Sequence, residues 1–346
     1  TLSVANDTDS ARTGEPVVSG VPVPRGDLAG PEHADLLDAS GMPVPCHITS
    51  TGMWPDGSVK WLLLDFQASV GPRASSTFVL EYGNAVTAAS VQSGLSIAHE
   101  DGVLRVDTGP ASFVFAPKEG RPFTGTLRGA TASALVLDGT IAAADGRGWS
   151  LEAARDMTVA VEEESPFRAV VRMRGRFAGE GGPSPIAFDH RIHLFAGRAE
   201  ALVEYGFVPT AVEDTIPLRR IRVQLAGSVS GAAEFVPVEG KPVGVPVADS
   251  PRLLQTGESH YGNQGSFPFV VSSGNGTFLA EGQKASGIVR LAGAGPRLVC
   301  VPHFWEQFPK ALGCGEQGVN VDLWPDAPGV PVFVAHAGSA KSHRVG

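Results

Sequence analysis

The densest group of residues able to carry chemistry lies in the polar segment Glu258–Gln264, which has a glycine on each side. Its proton-transferring and hydrogen-bonding side chains are His260, Tyr261, Asn263 and Gln264. Histidine and tyrosine act as general acids or bases when their surroundings adjust their pKa, and amides hydrogen-bond to hydroxyl groups. We therefore predict a catalytic role for the histidine and the tyrosine, and substrate contacts for the two amides. The alternative is a polar loop that caps one end of a β-sandwich.

A second group combines three aromatic rings with polar side chains in the segment His303–Leu312. The rings belong to Phe304, Trp305 and Phe308, and the polar neighbours are Glu306, Gln307 and Lys310. Aromatic faces can stack on the apolar C–H faces of sugars, so Trp305 is predicted to bind substrate. The alternative is a structural corner with Trp305 buried between two domains, because closely spaced large rings are typical of a core.

Arginines recur at alternate positions of a third segment, Arg168–Arg176. Side chains two residues apart share one face of a strand, and a guanidinium matches the two oxygens of a carboxylate. Arg172 and Arg174 are therefore predicted to bind the acid groups of a ligand. The alternative is an ion-paired surface in which the arginines are neutralised by the glutamates at 162–164.

A pair of histidines lies on a fourth alternating segment. If this segment is a strand, His190 shares one face with Ile192, and His193 shares the other with Arg191. Pairing with the next strand would bring Glu204 across. A histidine acid and a carboxylate base around a ring oxygen would interconvert the anomers of a sugar. The alternative is a solvated or salt-bridged sheet face.

Composition narrows the class of protein. The chain has 346 residues, of which 42% are hydrophobic and 18% are charged, an ordinary globular balance. The formal net charge of −9 and the lack of a basic patch exclude a nucleic-acid-binding role. No apolar run is long enough to predict a membrane span. An acidic ligand would need positive charge supplied locally by its site.

The cysteines and acidic residues predict no metal site and no cofactor. Cys46, Cys300 and Cys314 are too few and too scattered for a disulfide framework or a zinc site. A bridge between the last two and a pair of free thiols remain equally open. The N-terminal aspartates lack the spacing of a calcium loop.

The frequent glycines and prolines of the chain predict an all-β protein. Forty-three glycines and 27 prolines separate short β-branched runs such as Ser58–Phe66 and Ile221–Leu225. No segment has the length and the periodicity of a capped helix. An Ala-, Ser- and Val-rich stretch near 84–96 suggests a boundary between a small barrel domain at 1–86 and a large antiparallel sandwich at 87–346.

Three stretches resemble one family, the exo-rhamnogalacturonan lyase and YetA-like proteins. They are Gly20-Val-Pro-Val-Pro-Arg-Gly-Asp-Leu28 with Leu36-Leu-Asp-Ala-Ser-Gly-Met-Pro-Val-Pro45 and Trp54-Pro-Asp-Gly-Ser-Val-Lys-Trp61; His303-Phe-Trp-Glu-Gln-Phe-Pro-Lys-Ala-Leu312; and Val319-Asn-Val-Asp-Leu-Trp-Pro325 with Ala337-Gly-Ser-Ala-Lys-Ser-His343. The resemblance implies an N-terminal RIFT-type barrel, a central β-sandwich and a C-terminal α/α toroid. This sequence has no region for the toroid. A looser similarity links 188–207 to the strand pairs of galactose-mutarotase-like supersandwiches.

The resemblance implies a polysaccharide lyase, or its non-helical portion, that cleaves a uronate-containing glycan such as rhamnogalacturonan by β-elimination. A non-catalytic carbohydrate-binding or scaffolding module and a mutarotase-like epimerase are the alternatives. The expected partners are an acidic polysaccharide or oligosaccharide and a C-terminal helical domain or partner chain. The chain starts at Thr1 rather than at Met, which is compatible with export, so a secreted or periplasmic location is expected.

Overall fold

The computed structural model describes residues 1–119, 121–129, 134–210, 215–257, 268–292 and 298–346. Almost all regular structure in these ranges is strand, and the helical residues form single turns of 3₁₀ helix at Pro31–His33, Pro117–Glu119 and Val247–Asp249. The all-β prediction is confirmed, because frequent Gly and Pro leave no run long enough for a stable helix. No helix in the described ranges is long and apolar enough to cross a membrane.

The chain divides into two compact units. The first contains Thr1–Ser96 and the two short segments Glu163–Ala169 and Phe195–Gly197. The second contains Ile97–Glu162, Val170–Leu194 and Arg198–Gly346. The boundary between residues 86 and 87 that we expect from composition stays a prediction.

The first unit is built from two three-stranded antiparallel sheets. Its strands are β1 Leu2–Ala5, β2 Arg12–Pro22, β3 Ala34–Asp38, β4 Cys46–Met53, β5 Val59–Val70 and β6 Ser75–Tyr82. The sheets have the orders β1-β6-β3 and β2-β5-β4. Alternate residues of β5, including Leu64 and Phe66, face the core. There the ring of Phe66 meets that of Phe78 edge to face at 5.1 Å.

Side-chain hydrogen bonds from β5 help to attach the later segments to the first unit. The Asp65 carboxylate is buried and accepts a hydrogen bond of 2.7 Å from the Ser165 hydroxyl. The Gln67 side-chain amide donates to the Ala196 carbonyl at 2.9 Å. Polar groups on the outer face of β5 therefore hold 163–169 and 195–197 within this unit.

The remaining strands follow in chain order. They are β7 Ser96–Glu100, β8 Val103–Asp107, β9 Ala111–Ala116, β10 Arg121–Leu127, β11 Ala134–Ala143, β12 Gly148–Ser150, β13 Thr158–Glu164, β14 Arg168–Gly179, β15 Gly182–Phe195, β16 Ala201–Pro209, β17 Thr215–Ala226, β18 Ala232–Pro237, β19 Val243–Pro246, β20 Arg252–Gln255, β21 Phe269–Ser272, β22 Phe278–Gly282, β23 Ala285–Leu291, β24 Leu298–Cys300, β25 Lys310–Gly315, β26 Gly318–Trp324, β27 Phe333–His336 and β28 Lys341–Val345.

The second unit is a layered antiparallel sandwich. One long sheet has the pairing order β8-β9-β10-β11-β17-β26-β25-β20-β21-β22. Strands β15, β16 and β28 form a second layer, and β19-β18-β23-β24 form a separate sheet. Alternate apolar side chains of β17, such as Val223 and Leu225, are buried in the core. Their neighbours, Arg222 and Gln224, lie on the opposite face.

The two layers approach closely where Tyr205 on β16 meets Gly139 on β11. Tyr205 is fully buried and its ring stacks on that of His190 at 4.2 Å. A β-carbon at position 139 would overlap the tyrosine hydroxyl. The absence of a side chain at Gly139 is therefore what allows the layers to pack here.

Replacing Gly139 with alanine is expected to lower the free energy of unfolding by about 2 kcal/mol, because the added methyl overpacks the core. Urea denaturation measures the change. Gly148→Ala, at a position where an added β-carbon meets nothing closer than 4.0 Å, is the matched control. Tyr205→Phe removes the overlapping hydroxyl and should restore part of the loss. An unchanged midpoint for Gly139→Ala would contradict this account of the packing.

Candidate functional site

The four polar residues predicted to act in catalysis and substrate binding, His260, Tyr261, Asn263 and Gln264, lie outside the described residues, so their roles stay predictions. The strands on either side of them are described. Strand β20 ends at Gln255 and pairs antiparallel with β21, which begins at Phe269. The Gln255 amide donates to the carbonyls of Thr256 at 2.9 Å and Pro268 at 3.2 Å. The segment 258–267 thus connects the two arms of a hairpin whose base is fastened by hydrogen bonds.

The aromatic corner lies beside the start of this connection. The Phe308 ring packs against the α-carbon of Gly257, and Phe304 is fully buried. Trp305 is half-buried, with the ammonium of Lys284 lying 4.3 Å from its ring centroid. Phe304 therefore belongs to the core, while stacking of a sugar on Trp305 stays a prediction.

A buried polar cluster supports the same corner from inside. Lys310 is fully buried, and its ammonium donates to the Gln307 carbonyl at 2.8 Å and to the side-chain oxygen of Gln307 at 3.0 Å. His343 Nδ1 lies 2.9 Å from the same side-chain oxygen. Burial, with repulsion from Lys341, lowers the pKa of Lys310 to about 7. Because Lys310 and His343 are buried, they support the corner from the interior, whereas Gln307 is exposed.

The predicted arginine row is neutralised by carboxylates. Arg172 donates from Nε and Nη2 to the two oxygens of Asp189 at 2.8 and 2.6 Å, and from Nη1 to Glu162 at 2.9 Å. Arg174 Nε lies 3.3 Å from Asp189. The Arg172 hydrogen bond lowers the pKa of Asp189 to about 2. An acidic ligand at Arg172 would have to displace Asp189, so this face has the ion-paired character of the alternative interpretation.

The two histidines of β15 lie on opposite faces, as their alternation predicts. His190 is fully buried, and burial lowers its pKa to about 3. His193 lies on the outer face, with its Nε2 3.8 Å from Glu204 Oε1. Glu204 also pairs with Arg344 at 3.0 Å. His190 and Glu204 therefore cannot act together on one sugar ring, which removes that version of the epimerase hypothesis.

A groove that sequence analysis did not identify runs across the outer face of β17, β26, β25 and β20. Its volume is about 230 Å³. The polar side chains that line it are Arg222, Gln224, Ser250, Arg252, Gln317, Asn320 and Asp322. Glycines at 313, 315 and 318 keep its floor free of side chains. An open, polar groove of this kind can accept an extended, hydroxyl-rich chain.

Strand register brings the groove residues together from distant parts of the chain. Arg222 lies opposite Asp322, and Gln224 lies opposite Asn320. Arg252 is placed beside them because β20 pairs with β25, which in turn pairs with β26. The side chains on the other face of β17 and β26 are buried in the core, so the polar set must point outward.

One buried carboxylate organises the positive charge of the groove. Asp322 is only 2% exposed. Arg222 donates to its two oxygens from Nε at 2.6 Å and from Nη2 at 3.0 Å, and Arg252 Nη2 donates at 3.2 Å. A doubly hydrogen-bonded guanidinium is held in a fixed orientation. These two arginines and one aspartate leave a local positive charge on a protein whose formal net charge is −9.

The sequence did contain a signal for the groove. Polar residues alternate with apolar ones in both Arg220–Leu225 and Val319–Leu323. Two strands whose exposed faces carry arginines, amides and an aspartate predict a polar surface once they are known to be neighbours. That neighbourhood was not visible, because the strands are about a hundred residues apart.

The described ranges contain no cluster of three or more His, Cys, Asp or Glu side chains arranged to hold a metal ion. Cys46, Cys300 and Cys314 are free thiols. Burial raises the pKa of the Cys46 and Cys314 thiols to about 12, which keeps both in the unreactive protonated form.

Comparison with known proteins supports the fold of both units. Residues 5–81 match the family model described as PcRGLX-like N-terminal RIFT barrel domain. Two solved structures from Enterococcus faecalis, an alpha-mannosidase and a protein in the glycosyl hydrolase family 38, align with 99% of this chain at a TM-score of 0.57. Their sequence identities are 11% and 12%, so they show a shared fold alone.

The chain covers 42% and 43% of those two chains. No curated protein matches it significantly. The family match falls on the first unit and agrees with its two small sheets, and with the resemblance carried by residues 20–28, 36–45 and 54–61. Residues 5–81 of this chain are therefore similar to the PcRGLX-like N-terminal RIFT barrel domain.

Proposed function

We propose that this chain is a polysaccharide lyase, or the non-helical portion of one, that binds a uronate-containing glycan such as rhamnogalacturonan along the groove of β17, β26, β25 and β20. The observation that carries the proposal is the positive charge that Arg222 and Arg252 place in this groove. An acidic protein repels a polyanion at long range, so a site for an acidic glycan must supply its own cations.

The groove has the other properties that glycan binding needs. Gln224 and Asn320 project amide groups that can donate to and accept from sugar hydroxyls. The glycine floor lets a sugar chain approach the sheet. The family match of residues 5–81 supports the same substrate class, because the notable sequence resemblance of this chain is to exo-rhamnogalacturonan lyases.

The proposed reaction is a β-elimination. A base removes the proton at C5 of the uronate, the electron pair forms a C4–C5 double bond, and the bond from C4 to the glycosidic oxygen breaks. The departing oxygen takes a proton from an acid. Cations beside the uronate carboxylate stabilise the charge that develops when the C5 proton leaves.

His260 and Tyr261 stay the proposed base and acid. Their segment follows directly on β20, the strand that supplies Arg252, so the chain leads from the groove into the proposed catalytic connection. A helical domain or partner chain would form the opposite wall of the site.

Incubation with a panel of acidic plant and algal polysaccharides tests the proposal. The expected result is a rise in ultraviolet absorbance from new C4–C5 double bonds, either with this chain or with a form extended at its C-terminus. His260→Ala and Tyr261→Phe should then abolish most of the rate, with His303→Ala, an exposed histidine, as the matched control. No absorbance with any acidic polysaccharide from either form would contradict lyase activity.

A non-catalytic carbohydrate-binding module is the second candidate. It is favoured by the charged side chains that line the groove, which among the described residues are two arginines and one aspartate already held in ion pairs. Such a module would bind acidic glycans with a strong dependence on salt and release no unsaturated product.

A further inference from the structure

Arg220 lies two residues before Arg222 on β17, and its side chain is on the same face of the strand as that of Arg222, the face that carries the groove. A bulge places it there, because Ala142 pairs with Arg220 while Ala143 pairs with Leu218, which leaves Arg219 as the extra residue. A second irregularity lies on the other side, where β17 shifts register against β26 between Ile221 and Arg222. Bulges re-aim side chains and are frequent next to functional sites.

The guanidinium of Arg220 has a hydrogen-bond donor that no described residue satisfies. Its Nε is buried and has no hydrogen-bond partner within the described part of the chain. On the neighbouring strand β11, the hydroxyl of Thr140, opposite Arg222, is also buried and unpartnered in the same ranges. Two such atoms on one face form the kind of arrangement that a bound group completes.

The electrostatic surroundings of Arg220 point to an anion. Burial, with repulsion from Arg222 and Arg252, holds the pKa of its guanidinium below the usual range, and Asp322 and Asp326 offset this only in part. Asp322 is already engaged by the other two arginines. A partly buried cation beside like charges is unfavourable unless a negative group binds.

We propose that Arg220 is the receptor for a carboxylate of the acidic sugar in the groove, and that it determines the preference of the site for uronates over neutral sugars. Arg222 and Arg252 are fixed by Asp322 and supply background positive charge, whereas Arg220 has free donors for a new hydrogen bond. The Thr140 hydroxyl, on the neighbouring strand opposite Arg222, is a second donor on the same face. This role rests on the proposed function, because it assigns one residue to the acidic ligand of that groove.

The test measures the binding of oligogalacturonate and of a neutral galactan oligosaccharide of equal length to the chain by calorimetry. Arg220→Gln is expected to weaken oligogalacturonate binding by at least about tenfold, the loss typical of one charge-assisted hydrogen bond. Binding of the neutral oligosaccharide should not change. Arg219→Gln, which removes the same charge from the adjacent exposed position, is the matched control and should retain wild-type affinity.

A structural role for Arg220 makes a different prediction. If the side chain only supported the sheet, Arg220→Gln would lower the urea midpoint along with the affinity. Our proposal predicts an unchanged or higher midpoint, because the substitution removes an unpaired and partly buried charge. Equal affinities of Arg220→Gln and wild type for oligogalacturonate would overturn the proposal, and so would a wild-type protein that binds no oligogalacturonate.

The same variants separate this inference from the proposed function. Binding that depends on Arg220 in a protein that never forms an unsaturated product would contradict the lyase and support the receptor role. Unsaturated product formed by Arg220→Gln with an unchanged Michaelis constant would support the lyase and overturn the receptor role.

Discussion

Replacing Asp322 with alanine should lower the free energy of unfolding by about 3 kcal/mol, the usual cost of removing one partner from a buried ion pair. The carboxylate is only 2% exposed and accepts three hydrogen bonds from two arginines. Without it, the guanidiniums of Arg222 and Arg252 keep their charge on a half-buried face and lose their common counter-ion. The cost is a loss of stability and not only of ligand binding.

Urea denaturation of the Asp322→Ala protein measures this loss as a shift in the midpoint. The matched control is Asp145→Ala, which removes a carboxylate that pairs with Arg147 at 2.8 Å on the surface. Both side chains of that pair are more than half exposed, so the expected cost is below about 1 kcal/mol. Equal midpoints for the two variants would show that Asp322 does not organise the groove.

Acidification from pH 7 to pH 5 should lower the free energy of unfolding by about 4 kcal/mol, or about 2 kcal/mol for each of two buried histidines. Burial lowers the pKa of both His190 and His343 to about 3. In the unfolded chain each titrates near its ordinary value of 6.5. As the pH falls below 6.5, the unfolded state therefore takes up protons that the folded state does not, and stability falls.

Two features make the chosen range specific for these histidines. The carboxylates whose pKa is lowered furthest, Asp56 and Asp189, have folded values of about 2, so they lose their stabilising effect only at lower pH. Lys310 has a folded pKa of about 7, below its ordinary value of 10.5, so its contribution changes mainly between pH 7 and 10.5. Urea titrations at pH 7, 6 and 5, compared with a variant that lacks the two histidines, separate their effect from that of Asp138, whose pKa is raised by burial.

The double variant His190→Gln, His343→Gln should flatten the dependence of stability on pH over this range. His303→Gln, which changes a side chain that is 72% exposed, should leave the wild-type dependence intact. A wild-type protein that is as stable at pH 5 as at pH 7 would contradict the burial of neutral histidines. The hydrogen bond from the Gly206 amide to His190 Nδ1 at 3.2 Å agrees with the neutral form.

The fold class followed from local features of the sequence. The run Ile221–Leu225 lies within β17, and the alternation around His190 and His193 correctly separates their faces. Such features are readable because the side chains of a strand alternate with a period of two, whatever strand lies beside it. The same reasoning identified the alternating arginines of β14 and Glu162 as a partner of Arg172, but not Asp189.

The pairing of Arg172 with Asp189 was decided by tertiary structure. Arg172 lies on β14 and forms ion pairs with two carboxylates. Asp189 lies on β15, and Glu162 lies on β13. A sequence shows only which residues are neighbours along the chain, and these neighbours predict the glutamates at 162–164 as the alternative partners. These ion pairs link three strands, and the Nε, Nη1 and Nη2 of Arg172 all donate to carboxylates.

The sequence by itself determined that the chain is all-β, that its N-terminal part resembles a RIFT-type barrel, and which side chains of each strand share a face. Only the tertiary structure decided that Arg222, Arg252 and Asp322 meet in one groove, and that Arg220 Nε has no hydrogen-bond partner among the described residues. The physical reason is that strand alternation is local, whereas register is set by the joint burial of many apolar side chains. Residues 222 and 322 become neighbours only when the whole sandwich has formed.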